Sequence, residues 1–381
     1  MINAESTLRR IFDEANIEIN GSKDHDIQIQ DKSFFKTIIT DGTLGLGETY
    51  MDEKWDVKNL EEFLYRLLCW RRKRFNTPLV RWARMWFDLK RLFFNLQTPL
   101  RSKHVIDVHY DLPATLYQDM LGETMAYSCA YWKNANSLDQ AQCNKLDLIC
   151  RKLELSSKDR VLDLGCGFGS FSKFAAEHYG CSVVAVTLST NQALFARDFC
   201  KDLPVEIHVT DYRNINEYNK TGKPFDKVAS IAMFEAIGRK NFRSHMELID
   251  RVTPESGIWF LHTIGDNVCS SDPWLEKYIF PNGELPTVGQ ISEAILGLFD
   301  LEDFHNFGQD YRRTLKAWEA NFCGKWDEIR ARNPTMFSDR FFRMWIYYLC
   351  CCQAAFRARN MLLWQLVMSK NYLGKGYQSV R

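Results

Sequence analysis

The sequence has no Cys-x-x-Cys pair, although it holds twelve cysteines, and its eight histidines show no metal-ligand spacing. Those absences exclude zinc ribbons and dithiol redox motifs as the organising chemistry, and no metal is expected. An apolar leader is missing as well: MINAESTLRRIFDEANIEIN is mixed and charged. The expectation is a reduced, cytoplasmic chain with buried thiols rather than a disulfide scaffold. Long hydrophobic runs are also lacking. The longest, MWIYYLCCCQAAF at residues 344–356, is too short to span a bilayer and contains Gln353. Any membrane contact is therefore expected to be peripheral.

Net charge is nearly absent too, at +1, but it is unevenly spread. Residues 66–103 carry eleven Lys or Arg against the single acid Asp88, which makes that stretch +10 and the remainder −9. A basic segment in a near-neutral chain points to an anionic partner. Within it, Thr77-Pro78 reads as a helix start. Leu79, Trp82, Trp86, Leu89 and Phe93 then share one face, with Arg81, Arg84, Asp88 and Arg91 opposite. Two readings stay open for this helix: an anchor at an anionic membrane surface, or an ordinary helix burying its apolar face in a core. No base-reading module is recognisable, so no nucleic-acid partner is expected.

What the chain does have is apolar bulk. Its 381 residues, 46% hydrophobic and 14% aromatic, can build two domains, at least one of them large. The most informative stretch is RVLDLGCGFGSFSKFAAEHYG at 160–180. Arg160–Leu164 reads as a buried strand carrying Asp163, and Gly165, Gly167 and Gly169 make a tight turn into a helix beginning near Ser170. Glycines there let backbone N–H groups approach a ligand closely. Further strands are predicted at 181–187, 205–210, 226–234 and 257–263, with helices such as 190–201 and 241–250 between them. This alternation specifies an α/β fold with a doubly wound parallel sheet. Glu235 and His262 fall at C-terminal strand ends, where such sheets bind ligands.

The second strand does not end in the acid that would hold an NAD ribose. The turn fits S-adenosylmethionine (SAM) instead, with Gln192 in reach of ribose hydroxyls, Asp211 placed to accept from the adenine amino group and Tyr212 to pack on the ring. A plain glycine-rich turn and a loop-capping Asp211 are the structural alternatives for each motif alone.

Together the motifs resemble those of bacterial cyclopropane-fatty-acyl-phospholipid synthases. The stretches that carry the resemblance are GTLGLGETYMDEKWD, FNLQTP, HYDL, YSCAYW, VLDLGCGFG, MFEAIG, LHTIG, WLEKYIFPNGELP, HNFGQDYRRTLKAW and AFRARNMLLWQLV, in family order from about residue 20 to about 370. The resemblance implies a Rossmann-like class I SAM-dependent methyltransferase fold with lid insertions, plus a smaller α+β N-terminal domain. It implies a lipid-engaging domain at 1–94, a linker at 95–106 and a catalytic domain at 107–381. It also implies methylene transfer from SAM to the cis double bond of an unsaturated phospholipid, a bound bicarbonate and a homodimer attached peripherally to the inner face of the cell membrane. By motif position, bicarbonate would meet Cys129 and Ile264 through backbone groups and Glu235, His262 and Tyr311 through side chains. SAM would meet Tyr127, Ser128, Asp163, Gly165, Gly167, Thr187, Gln192, Asp211 and Tyr212.

Three departures stand out. Pro113-Ala114-Thr115 replaces the usual Gly-Asn-Asp, Ala236 a usual His, and Phe168 a usual Trp. None removes an assigned bicarbonate contact. They leave a non-catalytic SAM- or lipid-binding relative, or a C-methyltransferase giving a methyl or methylene-branched product, as the alternatives.

The residues make chemical sense of the reaction. An alkene attacking the sulfonium methyl gives a carbocation, which needs a dry pocket and groups tolerant of positive charge. Tyr127, Tyr131, Trp132, Phe168 and Tyr311 are aromatic candidates, with Trp132 read as packing. Cys129 has no covalent step to perform, so its thiol is expected to be replaceable. Glu235 beside a bound anion is expected to be protonated, or else compensated by a charged His262.

Overall fold

The computed structural model describes residues 4–73, 112–219, 222–266, 272–370 and 376–381. The expected basic helix from Thr77 and the expected linker 95–106 lie outside them. The chain divides into two compact units that are not contiguous in sequence. One gathers residues 1–95 with 271–281 and 315–361. The other gathers 96–270, 282–314 and 362–381. The expected N-terminal domain at 1–94 thus shares its unit with two later segments.

In the first unit, helices Ala4–Glu14, Ser33–Met51 and Leu60–Lys73 surround a two-residue ladder of β1 (Gln28–Ile29) and β2 (Trp55–Asp56). Phe12, Phe34, Trp55 and Phe63 pack ring against ring inside it. The apolar run at 344–356 lies within the helix Asp339–Arg357, whose residues from Trp345 to Phe356 are mostly buried. Arg343 on that helix donates to the carbonyls of Tyr50 (2.6 Å) and Trp55 (3.1 Å), and Arg357 pairs with Glu62 at 2.6 Å. The Gly-rich GTLGLGETY stretch has a packing reason: a Cβ on Gly47 would collide with the Trp274 indole. Among the described residues no helix is long and apolar enough to cross a membrane.

The second unit is built on a sheet ordered β5-β4-β3-β6-β7-β9-β8 among the described residues. Its strands are β3 (Arg160–Leu164), β4 (Ser182–Thr187), β5 (Val205–Val209), β6 (Lys227–Ile231), β7 (Ile258–Gly265), β8 (Asp300–Asn306) and β9 (Leu362–Ser369). The first five in this order run parallel, as the β-α alternation predicts. β9 and β8 add an antiparallel edge that sequence reading did not foresee. Strands such as SVVAVT, IWFLHTIG and LLWQLVMS are nearly continuous apolar runs because helices cover both faces. The chain winds outward through β3, β4 and β5, then reverses through β6 and β7. The switch point between β3 and β6 leaves a crevice at the strand C-termini.

Candidate active site

A cavity of about 210 Å³ opens at that switch point. All nine residues expected to meet SAM line it: Tyr127, Ser128, Asp163, Gly165, Gly167, Thr187, Gln192, Asp211 and Tyr212. Each arrives by a local rule. Gly165 turns the chain off β3 at φ 79, and its N–H donates to the Val186 carbonyl at 2.9 Å. A Cβ there would crowd Met233, so only glycine allows the strand end to close on the turn. Ser189 caps the helix Thr190–Phe199, whose first turn presents Gln192, and the Thr187 hydroxyl donates to the Gln192 amide oxygen at 3.1 Å. Phe168 and Ala236, two of the departures, also line the cavity. The third departure, Pro113-Ala114-Thr115, opens the helix Ala114–Leu121, with Pro113 at its N-cap. The Tyr117 ring on that helix lies 5.4 Å from the Tyr127 ring and 5.2 Å from that of Phe168.

Asp163 is fully buried, and burial pushes its carboxyl up to about 7, although the Ser172 hydroxyl donates to it at 2.7 Å. Asp211 differs from the sequence expectation. Both of its oxygens are engaged by the Arg213 guanidinium, at 2.8 and 2.7 Å, so an adenine amino group would have to share an acceptor already in use.

The five expected bicarbonate contacts are not among the residues lining this cavity. Glu235 sits on a single 3-10 turn after β6, and His262 on β7 faces Ile231 across the β6–β7 pair. Ala232, held at φ 54 where β6 ends, donates its N–H to the His262 carbonyl at 2.9 Å. The Glu235 carbonyl accepts from the Glu284 N–H at 2.9 Å, and Glu284 pairs with Arg239 at 3.3 Å. The PNGELP stretch thereby pins the turn that carries Glu235. Of the Ile264 backbone groups, one of which was expected to meet the anion, the N–H is taken by Glu235 Oε1 at 2.6 Å. The neighbouring Thr263 hydroxyl turns to the Ile264 carbonyl at 3.0 Å.

That leaves Glu235 Oε2 and His262 Nε2 buried with no hydrogen-bond partner. Burial pushes the Glu235 carboxyl up to about 7 and holds His262 well below its ordinary value, so the imidazole is neutral. Of the two expected ways to avoid repelling an anion, only protonation of Glu235 is open. Two orphaned polar atoms, one on the turn after β6 and one on the neighbouring β7, the first on a carboxyl that protonates near neutrality, are of the kind a small hydrogen-bonding anion such as bicarbonate needs.

Cys129 and Tyr311 are both buried. Thr314 Oγ1 accepts from the Ala130 N–H at 3.1 Å, and Asp310 accepts from the Trp132 N–H at 2.7 Å, so the helix turn carrying Tyr311 is tied to the YSCAYW segment. Burial raises the Cys129 thiol well above its ordinary value, the opposite of what a nucleophile needs. Trp132 donates its indole N–H to Thr314 and lies under Arg313, which is packing. The Tyr131 ring faces His305 and Phe307, whereas Tyr127 and Phe168 line the cavity.

Sequence reading missed the helix Leu138–Lys152 as a wall of the site. Gln142 donates to the Ala126 and Ser128 carbonyls at 3.2 and 3.0 Å, and Lys145 donates to Ser128 Oγ at 3.0 Å. A signal existed: both polar residues fall on the stripe Leu138, Ala141, Gln142, Lys145, Leu146, Ile149, which buries. Gln365 on β9, opposite His262 and 3.3 Å from its Nδ1, was missed as well.

Comparison with known proteins agrees with this geometry. A family model described as mycolic acid cyclopropane synthetase matches residues 97–366. The chain is 43% identical over 366 residues to the cyclopropane-fatty-acyl-phospholipid synthase of Escherichia coli strain K12, covering 94% of this chain and 92% of that one. It is 33% identical over 297 residues to a probable fatty acid methyltransferase of Pseudomonas putida, covering 72% and 73%. The solved cyclopropane synthase MmaA2 from Mycobacterium tuberculosis superimposes with a TM-score of 0.65 at 25% identity, over 73% of this chain and all 100% of that one. The mycolic acid cyclopropane synthase CmaA1 complexed with SAH and CTAB gives 0.62 at 26% identity, over 70% and 98%. With a Rossmann-like sheet, a glycine turn closing on its cavity and these relatives, the chain belongs to the SAM-dependent cyclopropane synthase family.

Proposed function

We propose that this protein is a cyclopropane-fatty-acyl-phospholipid synthase, which uses SAM to convert the cis double bond of an unsaturated phospholipid acyl chain into a cyclopropane ring. The observation that carries this reading is the convergence of nine donor-type residues on one cavity, in a chain alignable with such a synthase over 94% of its length. The alkene π electrons attack the sulfonium methyl, the C–S bond breaks and S-adenosylhomocysteine leaves. The resulting carbocation closes to the ring as the transferred methyl loses a proton. Burial of His262 and of the Glu235 Oε2 atom keeps water from capturing the cation. Tyr127 and Phe168 offer aromatic faces to the sulfonium.

Bicarbonate, when bound, supplies a base for the departing proton. Glu235 Oε2, His262 Nε2 and the Tyr311 hydroxyl would hold it, with backbone groups of Cys129 and the carbonyl of Ile264, whose N–H is already bonded to Glu235. Glu235 in its acid form donates to such an anion instead of repelling it. The unit holding residues 1–95 is read as lipid-engaging, and the chain as a homodimer attached peripherally to an anionic bilayer. Arg71 and Lys73 are exposed, whereas Arg72 donates to the Ala358 carbonyl. The clean electrostatic test is therefore Arg71→Ala with Lys73→Ala: binding to anionic liposomes should weaken and its salt dependence flatten. Sedimentation of the purified protein tests the dimer.

The deciding experiment is incubation with SAM and liposomes of unsaturated phospholipid, followed by mass analysis of the acyl chains. A gain of one CH₂ with loss of the double bond is expected. A gain with a double bond retained would make the product methylene-branched. No turnover of SAM on any unsaturated lipid would sink the enzyme reading.

A further inference from the structure

Lys145 is a buried cation with no ion pair among the described residues; the Asp163 carboxyl, on the same cavity, attracts it from beyond salt-bridge distance. Its side chain lines the donor cavity, it is only 1% exposed, and its ammonium donates to Ser128 Oγ at 3.0 Å. Among the described residues it makes no ion pair, whereas Lys152, two turns along the same helix, sits 2.9 Å from Asp303. An ammonium has three donors, so one hydroxyl leaves two for whatever occupies the cavity. The other cation lining the cavity is Arg213, and it is already spent on Asp211 in a two-pronged pair. Gln142, one turn before Lys145, fastens the carbonyls of Ala126 and Ser128, so the Ser128 hydroxyl is held in place from the same helix.

A methyl donor built on methionine brings one anionic group into this cavity, its α-carboxylate, and that group needs a partner once desolvated. Lys145 is the cation left to meet it. We propose that Lys145, seated by Ser128, is the receptor for the α-carboxylate of the methyl donor. This rests on the SAM-dependent reading above and adds to it the residue that recognises the amino-acid end of the donor. The geometry also explains an otherwise costly feature, since an unpaired buried lysine destabilises the free chain and is neutralised only when the ligand arrives.

The test compares two ligands that differ only in the carboxylate: SAM and decarboxylated SAM, with affinities measured by calorimetry on the full chain. Wild type should prefer SAM by about 10- to 100-fold, the range of one charge-assisted contact. Lys145→Gln should lose that preference by weakening SAM while leaving decarboxylated SAM nearly unchanged. Ser128→Ala, which keeps the lysine, should lower the preference several-fold and serves if Lys145→Gln folds poorly. Equal weakening of both ligands would overturn the inference, because it marks a purely structural lysine. So would unchanged SAM affinity accompanied by an altered bicarbonate dependence of turnover, which would give Lys145 to the other anion. Failure of wild type to bind either ligand would overturn the methyl-donor reading itself, and this inference with it.

Discussion

Two buried polar clusters on one sheet are finished in opposite ways. At the antiparallel edge, Lys152 meets Asp303 at 2.9 Å, and Asp303 also accepts from Ser379 and Arg381 at 2.8 and 2.6 Å. At the parallel strand ends, Glu235 has one oxygen bonded to Ile264 and the other bare, and His262 Nε2 is bare too. Every charge in the first cluster has a partner inside the protein, which is what a structural site needs. The second leaves buried atoms without a partner in the protein, which costs stability and leaves groups for a ligand. Gln365 stands between them: on β9 it faces His262 of β7 on one side and His305 of β8 on the other.

The comparison can be broken most sharply at Glu235. Glu235→Gln keeps an acceptor for the Ile264 N–H but removes the titrating proton, and turnover should fall by about 10²- to 10⁴-fold. Stability should move the other way with pH. The folded carboxyl titrates at about 7, above the ordinary 4.5, so the stability carried by its acid form is complete below pH 4.5 and lost as pH rises through 7. Denaturant midpoints of wild type and variant should therefore coincide near pH 4. At pH 8 the Gln variant should be the more stable, by up to ~3 kcal/mol from the pKa shift. An equal gap at both pH values would show that Glu235 does not titrate as a buried acid.

The paired cluster should respond in reverse. Asp303→Asn strands Lys152 and should cost about 3–5 kcal/mol of stability, while turnover of the remaining folded protein stays close to wild type. Burial alone would raise the Asp303 carboxyl, but hydrogen bonds from Arg381 and Lys152 outweigh it and hold it below the usual carboxylate range. Its contribution is therefore present above the unfolded carboxylate pKa and lost as pH falls through the folded one. Acid melts should show the wild-type advantage over Asp303→Asn shrinking at low pH. A large loss of turnover in folded Asp303→Asn would erase the distinction between the clusters.

Smaller effects refine the open cluster. Ala232 adopts φ 54 where β6 turns toward Glu235. Ala232→Val should cost about 1–3 kcal/mol and lower kcat by moving the turn, whereas Ala232→Gly should be nearly neutral in melting experiments. Cys129→Ala should change turnover least, within a few-fold, because burial keeps the thiol protonated and unreactive. Abolition of turnover in that variant with SAM and bicarbonate binding intact would restore a chemical role for the sulfur.

Much of the donor cavity was legible because its residues are fixed by local rules. The strand–Gly165–Gly167–Gly169–helix turn, the Ser189 cap and the Asp211–Tyr212 strand end each lie within a few residues of the feature that positions them. The helix Leu138–Lys152 was not legible as a wall, since Gln142 and Lys145 find their partners on the separate 126–128 segment. Asp211 was read as free for adenine because nothing in the spacing tells that Arg213 folds back on it. Of the two antiparallel strands, β8 escaped notice because it is a mostly exposed edge with little hydrophobic period, and β9 because a short buried apolar run has no period that tells strand from helix.

By itself the sequence determined the alternating parallel sheet, the glycine turn at its switch point and the residue types of the site, since apolar periodicity and turn chemistry act over short stretches. Tertiary structure alone decided the charge states and the missing partners. Whether Glu235 is an acid, His262 neutral or Lys145 unpaired depends on which distant atoms share their burial, and desolvation is set by the packed volume around a group rather than by its neighbours in the chain.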